Sequence, residues 1–171
     1  DIFRERYKDT LEPEFMKLCE DLNDMRELWY GRETGTKCLI HGDFRLDNML
    51  FDIHGGAEEI AVLDWQTAGT GSGLMDIGYF LGTGIGDQLR RAHEDELLDL
   101  YCAEMSARGV PLTRDAVWDD YVIGALHGVS TAVFSAAFVE RTERGDQNFL
   151  SMARGGCALA LQHGSLDKLK G

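Results

Sequence analysis

Apolar residues recur at alternating spacings of three and four through Phe15, Leu18, Leu22, Met25 and Trp29, with Pro13 placed for a first helical turn. The pattern predicts a helix from residue 13 that Gly31 and Gly35 bring to an end. The period then changes. Residues 37–41 form a short apolar run that leads into a polar loop at 42–48. Residues 49–53 and 60–64 read as two strands, and His54-Gly55-Gly56-Ala57 between them reads as a turn whose glycines can take positive φ. From Asp76 onward the chain reads as helix throughout. Asp76 is placed to cap residues 77–81, and a second helix runs from His93 to Arg108, closed by Gly109 with Pro111 beyond it. A long helix starts near Thr113 with Val117, Tyr121, Ala125, Val129, Val133 and Ala137 spaced by four. Gly124 and Gly128 within it allow close helix contact or a bend, and a last helix runs from about Asn148 to His163. There is no repeat and no low-complexity segment.

The fold class that follows is α+β: mostly helical, with a small β-hairpin. The expected organisation is a helical lead-in over 1–36, a mixed core over 37–81 and a helical subdomain over 82–171. At 171 residues, 44% hydrophobic and 27% charged, the chain is an ordinary globular one, large enough for a substantial core. The formal net charge of −13 leaves no basic stripe for nucleic acid and fits a cationic or neutral small molecule. Cys19, Cys38, Cys102 and Cys157 form no CxxC or Cys/His cluster, so they read as four free thiols in a reducing compartment. No run of 18 apolar residues suggests a membrane span and no signal peptide opens the chain, so the expected location is the cytoplasm. The chain starts at Asp1 within what reads as helix, which suggests a fragment.

Chemistry concentrates in the loop. Asp43 and Asn48 are five residues apart in His41-Gly42-Asp43-Phe44-Arg45-Leu46-Asp47-Asn48, and Asp64-Trp65-Gln66 follows the second strand. Phosphoryl transfer uses such a set: a carboxylate that accepts the proton of an attacking hydroxyl, an amide oxygen on Mg²⁺, and a second carboxylate bridging the metal to nucleotide phosphates. Taken singly, Asp43 reads as a turn residue capping its own backbone. With Asn48 and Asp64 at this spacing it reads as the base. Asn48 and Asp64 are the expected metal ligands, since a hard cation takes oxygen donors. Asp64, expected to be buried at the end of an apolar strand, would need a cation or donor there.

Supporting roles divide less sharply. His41 reads as fixing the loop by hydrogen bonds. Arg45 either pairs with Asp47 or reaches a substrate anion. Asp76 either caps its helix or braces the loop through backbone N–H groups. Gly69-x-Gly71-x-Gly73 lacks the strand–loop–helix context of a phosphate loop and reads as a flexible connector. Arg144-Gly145-Asp146 reads as a turn between helices, and His93, His127 and His163 as ordinary helix residues.

His41-Gly42-Asp43-x4-Asn48, Val62-Leu63-Asp64-Trp65-Gln66 and Asp76-Ile77-Gly78-Tyr79-Phe80-Leu81 together resemble the aminoglycoside phosphotransferase and choline-kinase-like superfamily, which has the protein-kinase-like fold. Asp-Trp-Gln, Asp-x-x-Tyr-Phe-Leu and residues 139–146 look closest to its bacterial ecdysteroid-kinase-like branch. The resemblance implies the C-terminal lobe of an ATP-dependent phosphotransferase acting on a small-molecule hydroxyl, with ATP and Mg²⁺ as cofactors. It implies Asp43 as base and Asn48 with Asp64 on nucleotide-bound Mg²⁺. Such enzymes carry a nucleotide-covering N-terminal lobe with a strand lysine, for which this chain offers no segment, so the isolated chain is expected to be nearly inactive. Two other readings are open: a catalytically inactive kinase-like module that binds a nucleotide or a partner, and a two-metal hydrolase using Asp43, Asp47 and Asp64, which leaves Asn48 unexplained. The acceptor and the oligomeric state are not legible.

Overall fold

A computed structural model describes residues 1–32 and 35–171. Among these residues the chain opens with helices α1 (Ile2–Tyr7), α2 (Pro13–Asp24) and α3 (Arg26–Gly31). Strands β1 (Cys38–Ile40), β2 (Met49–Asp52), β3 (Glu58–Val62) and β4 (Gly69–Gly71) follow, with a single turn α4 (Ile53–Gly56) joining β2 to β3. Helices α5 (Gly73–Thr83), α6 (Asp87–Ala107), α7 (Arg114–Gly124), α8 (Leu126–Phe138), α9 (Glu143–His163) and α10 (Ser165–Lys170) complete it. The architecture is the mostly helical α+β arrangement that the period change at residue 37 predicts.

Several boundaries move for physical reasons. Pro13 does occupy the first turn of α2, but the expected helix to Gly31 breaks at Met25, whose φ of −94° and ψ of 14° split it into α2 and α3. β2 and β3 pair as the expected antiparallel hairpin, Met49 opposite Val62, and the turn is left-handed at Asp52, His54, Gly55 and Gly56. A second antiparallel pair joins β1 to β4, Cys38 opposite Gly71, so the glycine-rich segment is a strand and not a flexible connector. Ser72 caps α5 with its side chain accepting from Leu74 N–H, which places Asp76 inside the helix and frees its carboxylate. Thr142 likewise caps α9, so Arg144-Gly145-Asp146 is the first turn of that helix rather than a loop. The stretch 114–138 is long and apolar enough to cross a membrane by length and composition, yet half of its most apolar window is buried inside the protein, as in a core helix.

The four-residue stripe of α7 and α8 is buried as far as Val129, after which Ala132 and Ala136 take over the core face. A spacing of four overruns a 3.6-residue turn by about 40° per step, so the stripe rotates away from the interior. Two apolar clusters result. One joins Phe3, Tyr7, Leu18, Trp29, Val129 and Cys157; the other joins Leu74, Leu98, Val117, Tyr121 and Leu159. Helix α5 contributes to both, through Tyr79 on one side and Leu74 and Leu81 on the other. It can approach α9 closely because both helices present glycine where they cross: a Cβ on Gly155 would fall on the Gly82 carbonyl oxygen. All four cysteines are free, and Cys19 and Cys157 lie in the core with their Sγ atoms 3.7 Å apart.

Beside the second cluster lies a buried polar network. Glu94 accepts from Tyr121 and stands 2.8 Å from His163 Nε2, while Arg90 bonds Glu94 and Gln162. Burial alone would raise the Glu94 carboxyl, but the bonds from His163 and Tyr121 outweigh it and hold the group below the usual range. His163 is thus part of a fully partnered structural cluster, not an ordinary helix residue.

Candidate active site

The loop between β1 and β2 is held at nearly every backbone group near its start. The Asp76 carboxylate accepts His41 N–H at 2.6 Å and Gly42 N–H at 2.9 Å. Thr67 Oγ1 donates to the His41 carbonyl at 2.9 Å, and His127 Nε2 donates to the Gly42 carbonyl at 2.7 Å. Gly42 has a φ of +83°, and a Cβ there would meet the Thr67 carbonyl at 2.6 Å, so only glycine fits. The His41 ring bridges the loop to the end of β3: Nδ1 accepts Asp43 N–H at 3.2 Å and Nε2–H donates to the Leu63 carbonyl at 2.8 Å. Those two bonds select the tautomer with its proton on Nε2. Trp65 packs on this ring at 4.7 Å between centroids.

The loop's two central side chains face each other. Asp43 Oδ1 accepts from Tyr79 O–H at 2.8 Å, and Oδ2 accepts from Asn48 Nδ2 at 2.8 Å. Asn48 Nδ2 also donates to the Asp43 carbonyl at 2.9 Å. Both acceptors are oxygens, so the amide cannot flip, and Oδ1 is left with no hydrogen bond among the described residues although Asn48 is 9% exposed. Asp76 and Tyr79 lie three apart on α5 and therefore share a face, which lets one core helix hold the loop backbone and the Asp43 carboxylate together.

Burial, reinforced by the nearby Asp43 charge, pushes the Tyr79 phenol far above its usual range, so it remains a donor. Burial holds the His127 imidazole below its usual range, with the Gly42 bond opposing only in part. Arg45 lies loosely between two carboxylates, with Nε 3.5 Å from Asp43 Oδ1 and Nη1 3.5 Å from Asp47 Oδ2.

The Leu63 N–H bond to the Asn48 carbonyl, 2.8 Å, closes the hairpin and places Asp64 just beyond it. Asp64 has left-handed backbone, φ 60° and ψ 58°. Its carboxylate is exposed, and its one hydrogen bond among the described residues is from Gln66 Nε2 at 3.5 Å. The expectation of a buried Asp64 is therefore wrong: β3 has both faces largely open, with Ile60 and Leu63 themselves nearly half exposed, so no desolvation cost demands a cation there. A Mg²⁺ ion still fits the chemistry of the donors. The unpartnered amide oxygen of Asn48 and the free carboxylate of Asp64 are hard oxygens of the kind that hold Mg²⁺ alongside phosphate and water. No group of three His, Cys, Asp or Glu among the described residues would hold a metal alone.

Three residues of this constellation, Thr67, Tyr79 and His127, were given no role of their own by the sequence. Tyr79 was signalled by its place in Asp-x-x-Tyr-Phe-Leu, three residues from Asp76. His127 was not: it reaches Gly42 across 85 residues of sequence, and no local pattern marks it.

Comparison with known proteins adds partial relatives. Acyl-CoA dehydrogenase family member 11 of Gallus gallus is 34% identical over 93 residues, covering 45% of this chain and 12% of the relative. Member 10 of Mus musculus is 49% identical over 41 residues, covering 24% and 4%, and member 11 of Homo sapiens is 50% identical over 42 residues, covering 25% and 5%. The chain thus matches at most 12% of the length of these relatives. No solved structure matches it. The ecdysteroid kinase-like family model matches residues 1–109, well over half of the chain, and the chain belongs to that kinase-like family.

Proposed function

We propose that the chain is the catalytic C-terminal lobe of an ATP-dependent phosphotransferase that moves the γ-phosphate to a hydroxyl of a small molecule. The observation that carries this reading is the Asp43–Asn48 pair: Asn48 turns its amide nitrogen to Asp43, which leaves its oxygen for a metal. Family membership supports it, since kinase-like proteins generally use ATP and Mg²⁺. In this reading residues 37–81 hold the reacting groups and the helices after 81 form the acceptor side, in a cytoplasmic protein.

Tyr79 and Asn48 each occupy one lone pair of an Asp43 oxygen, which fixes the carboxylate and leaves another lone pair to receive a proton. The acceptor hydroxyl gives its proton to Asp43 as its oxygen bonds to the γ-phosphorus. The bond from that phosphorus to the β–γ bridging oxygen breaks, and ADP leaves. Asn48 Oδ1 and the Asp64 carboxylate would hold Mg²⁺, which supplies charge neutralisation on the phosphates. Asp76, His127 and Thr67 act by positioning, through the loop backbone they bind.

The test is Mg²⁺-dependent ATP consumption by the full-length protein over a panel of hydroxyl-bearing acceptors. Asp43→Asn is expected to lower kcat by about two to four orders of magnitude, the scale of losing a positioned base. Turnover at the unmutated rate in that variant refutes the base assignment. Asp64→Ala is expected to abolish Mg²⁺-dependent nucleotide binding measured by calorimetry. Nucleotide binding with no turnover on any acceptor would make the protein a binding module instead.

A further inference from the structure

We infer that the acceptor carries an anionic group, a carboxylate or a phosphate monoester, received by Arg45 and Arg144 in a cavity beside Asp43; this rests on the phosphotransferase reading above. The cavity holds about 650 Å³. Its walls are Arg45 and Asp47 from the loop, and Thr142, Arg144, Gln147 and Asn148 from the start of α9. Arg45 joins it to the chemistry, since its Nε stands 3.5 Å from Asp43 Oδ1.

Arg45 is poorly satisfied by the protein, and Arg144 is exposed with its guanidinium open to a ligand. Arg45 is mostly enclosed, yet its Nε is buried without a hydrogen bond, and its carboxylate neighbours are at the long distance of 3.5 Å. Its one hydrogen bond among the described residues is to the Met152 sulfur, a weak acceptor. Arg144 has no hydrogen bond, ion pair or ring contact among the described residues, whereas each of the other arginines has at least one. It also stands in the first turn of a 21-residue helix, where the dipole disfavours a cation. Of the amides at the start of α9, Thr142 already takes those of Gly145 and Asp146.

Charge makes the site unusual for this chain. The protein carries −13 overall, yet the cavity lining has two arginines against one aspartate, with Asp43 beside Arg45 at its edge. The overall charge suggested a cationic or neutral acceptor, whereas the guanidinium donors left over in the cavity point to an anionic one. Guanidinium groups suit carboxylate and phosphate because their N–H donors match two oxygens at once. An acceptor anchored there presents its hydroxyl toward Asp43, a few bonds away.

The experiment uses the full-length protein with Mg²⁺ and ATP and three matched acceptor series: hydroxy acids, polyol phosphates, and neutral diols of the same chain length. ADP release gives kcat and KM, and saturation-transfer NMR gives acceptor binding without turnover. One anionic series is expected to exceed the neutral one in kcat/KM by about tenfold or more, and which series does so separates carboxylate from phosphate. Arg144→Gln is expected to raise KM for that series about ten- to a hundredfold while kcat changes little. Arg108→Gln, the same loss of charge outside the cavity, is expected to leave both constants as they were. Equal use of neutral and anionic acceptors, with KM unmoved by Arg144→Gln, overturns the anion site and leaves the phosphotransferase standing. Anion binding that depends on Arg144, with no phosphate transferred to any acceptor, upholds the site and overturns the phosphotransferase.

Discussion

Replacing Asp76 by Asn changes one atom and tests how the catalytic loop is held. The two carboxylate oxygens receive two backbone N–H groups, His41 at 2.6 Å and Gly42 at 2.9 Å. An asparagine offers one oxygen, so its Nδ2 must turn a donor toward the other donor. Hydrogen bonds to a charged acceptor contribute about 1.5–3 kcal/mol each, and a buried N–H left without a partner costs about 1–3 kcal/mol. One of the two bonds is lost outright and the other is weakened to a neutral one, so a loss of about 2–4 kcal/mol is expected. For a domain of this size that is a fall of roughly 4–16 °C in Tm. Calorimetry measures it, and hydrogen exchange at the His41 and Gly42 amides locates it. The expected pattern is faster exchange at these two amides, together with a fall in kcat of the full-length protein. A Tm within 1 °C of the unmutated chain, with both amides still protected, refutes the claim that Asp76 holds the loop.

Three further outcomes follow from other parts of the molecule. Gly155→Ala places a Cβ on the Gly82 carbonyl, so α5 and α9 must separate; a cost of about 1–3 kcal/mol or more is expected in urea unfolding, and an unchanged midpoint would contradict the close crossing. Burial pushes the Tyr7 phenol up to about 12 from 10.0, with Arg6 and Asp146 pulling in opposite directions. Because the neutral phenol is favoured in the folded state, its contribution is fully present below pH 10 and is lost as pH rises toward 12, which a stability series read beside the 295 nm phenolate absorbance will show. Burial lowers the His127 imidazole, so the folded state favours its neutral form; that stabilisation is present above pH 6.5 and is lost as pH falls below it, and His127→Gln is expected to flatten the acid limb of the same series.

What the sequence revealed depended on range. The Asp43–Asn48 loop and the β2–β3 hairpin are encoded within a few residues, so spacing and turn glycines placed them well. Helix interiors were legible apart from the breaks at Met25 and between α7 and α8. The starts of α5 and α9 moved because a side chain, Ser72 or Thr142, took over a backbone N–H. The β1–β4 pair was hidden because glycine carries no side-chain pattern, and its pairing partner is some thirty residues away. The apolar residues leading to Asp64 suggested burial, but a two-stranded sheet with open faces leaves apolar residues exposed. His127 and Arg144 were beyond any local reading, since their meaning comes from what α8 and α9 meet in space.

Helix α5 bears on both apolar clusters while its Asp76 and Tyr79 hold the loop, so site and interior form one cooperative unit. The loop has no inexpensive way to loosen by itself, and anything that binds it selectively adds its binding free energy to the stability of the whole domain. A compound at 100 times its Kd adds about 2.7 kcal/mol, a shift of several degrees in melting temperature. Thermal shift can therefore serve as an acceptor screen for this protein even where turnover is too slow to follow.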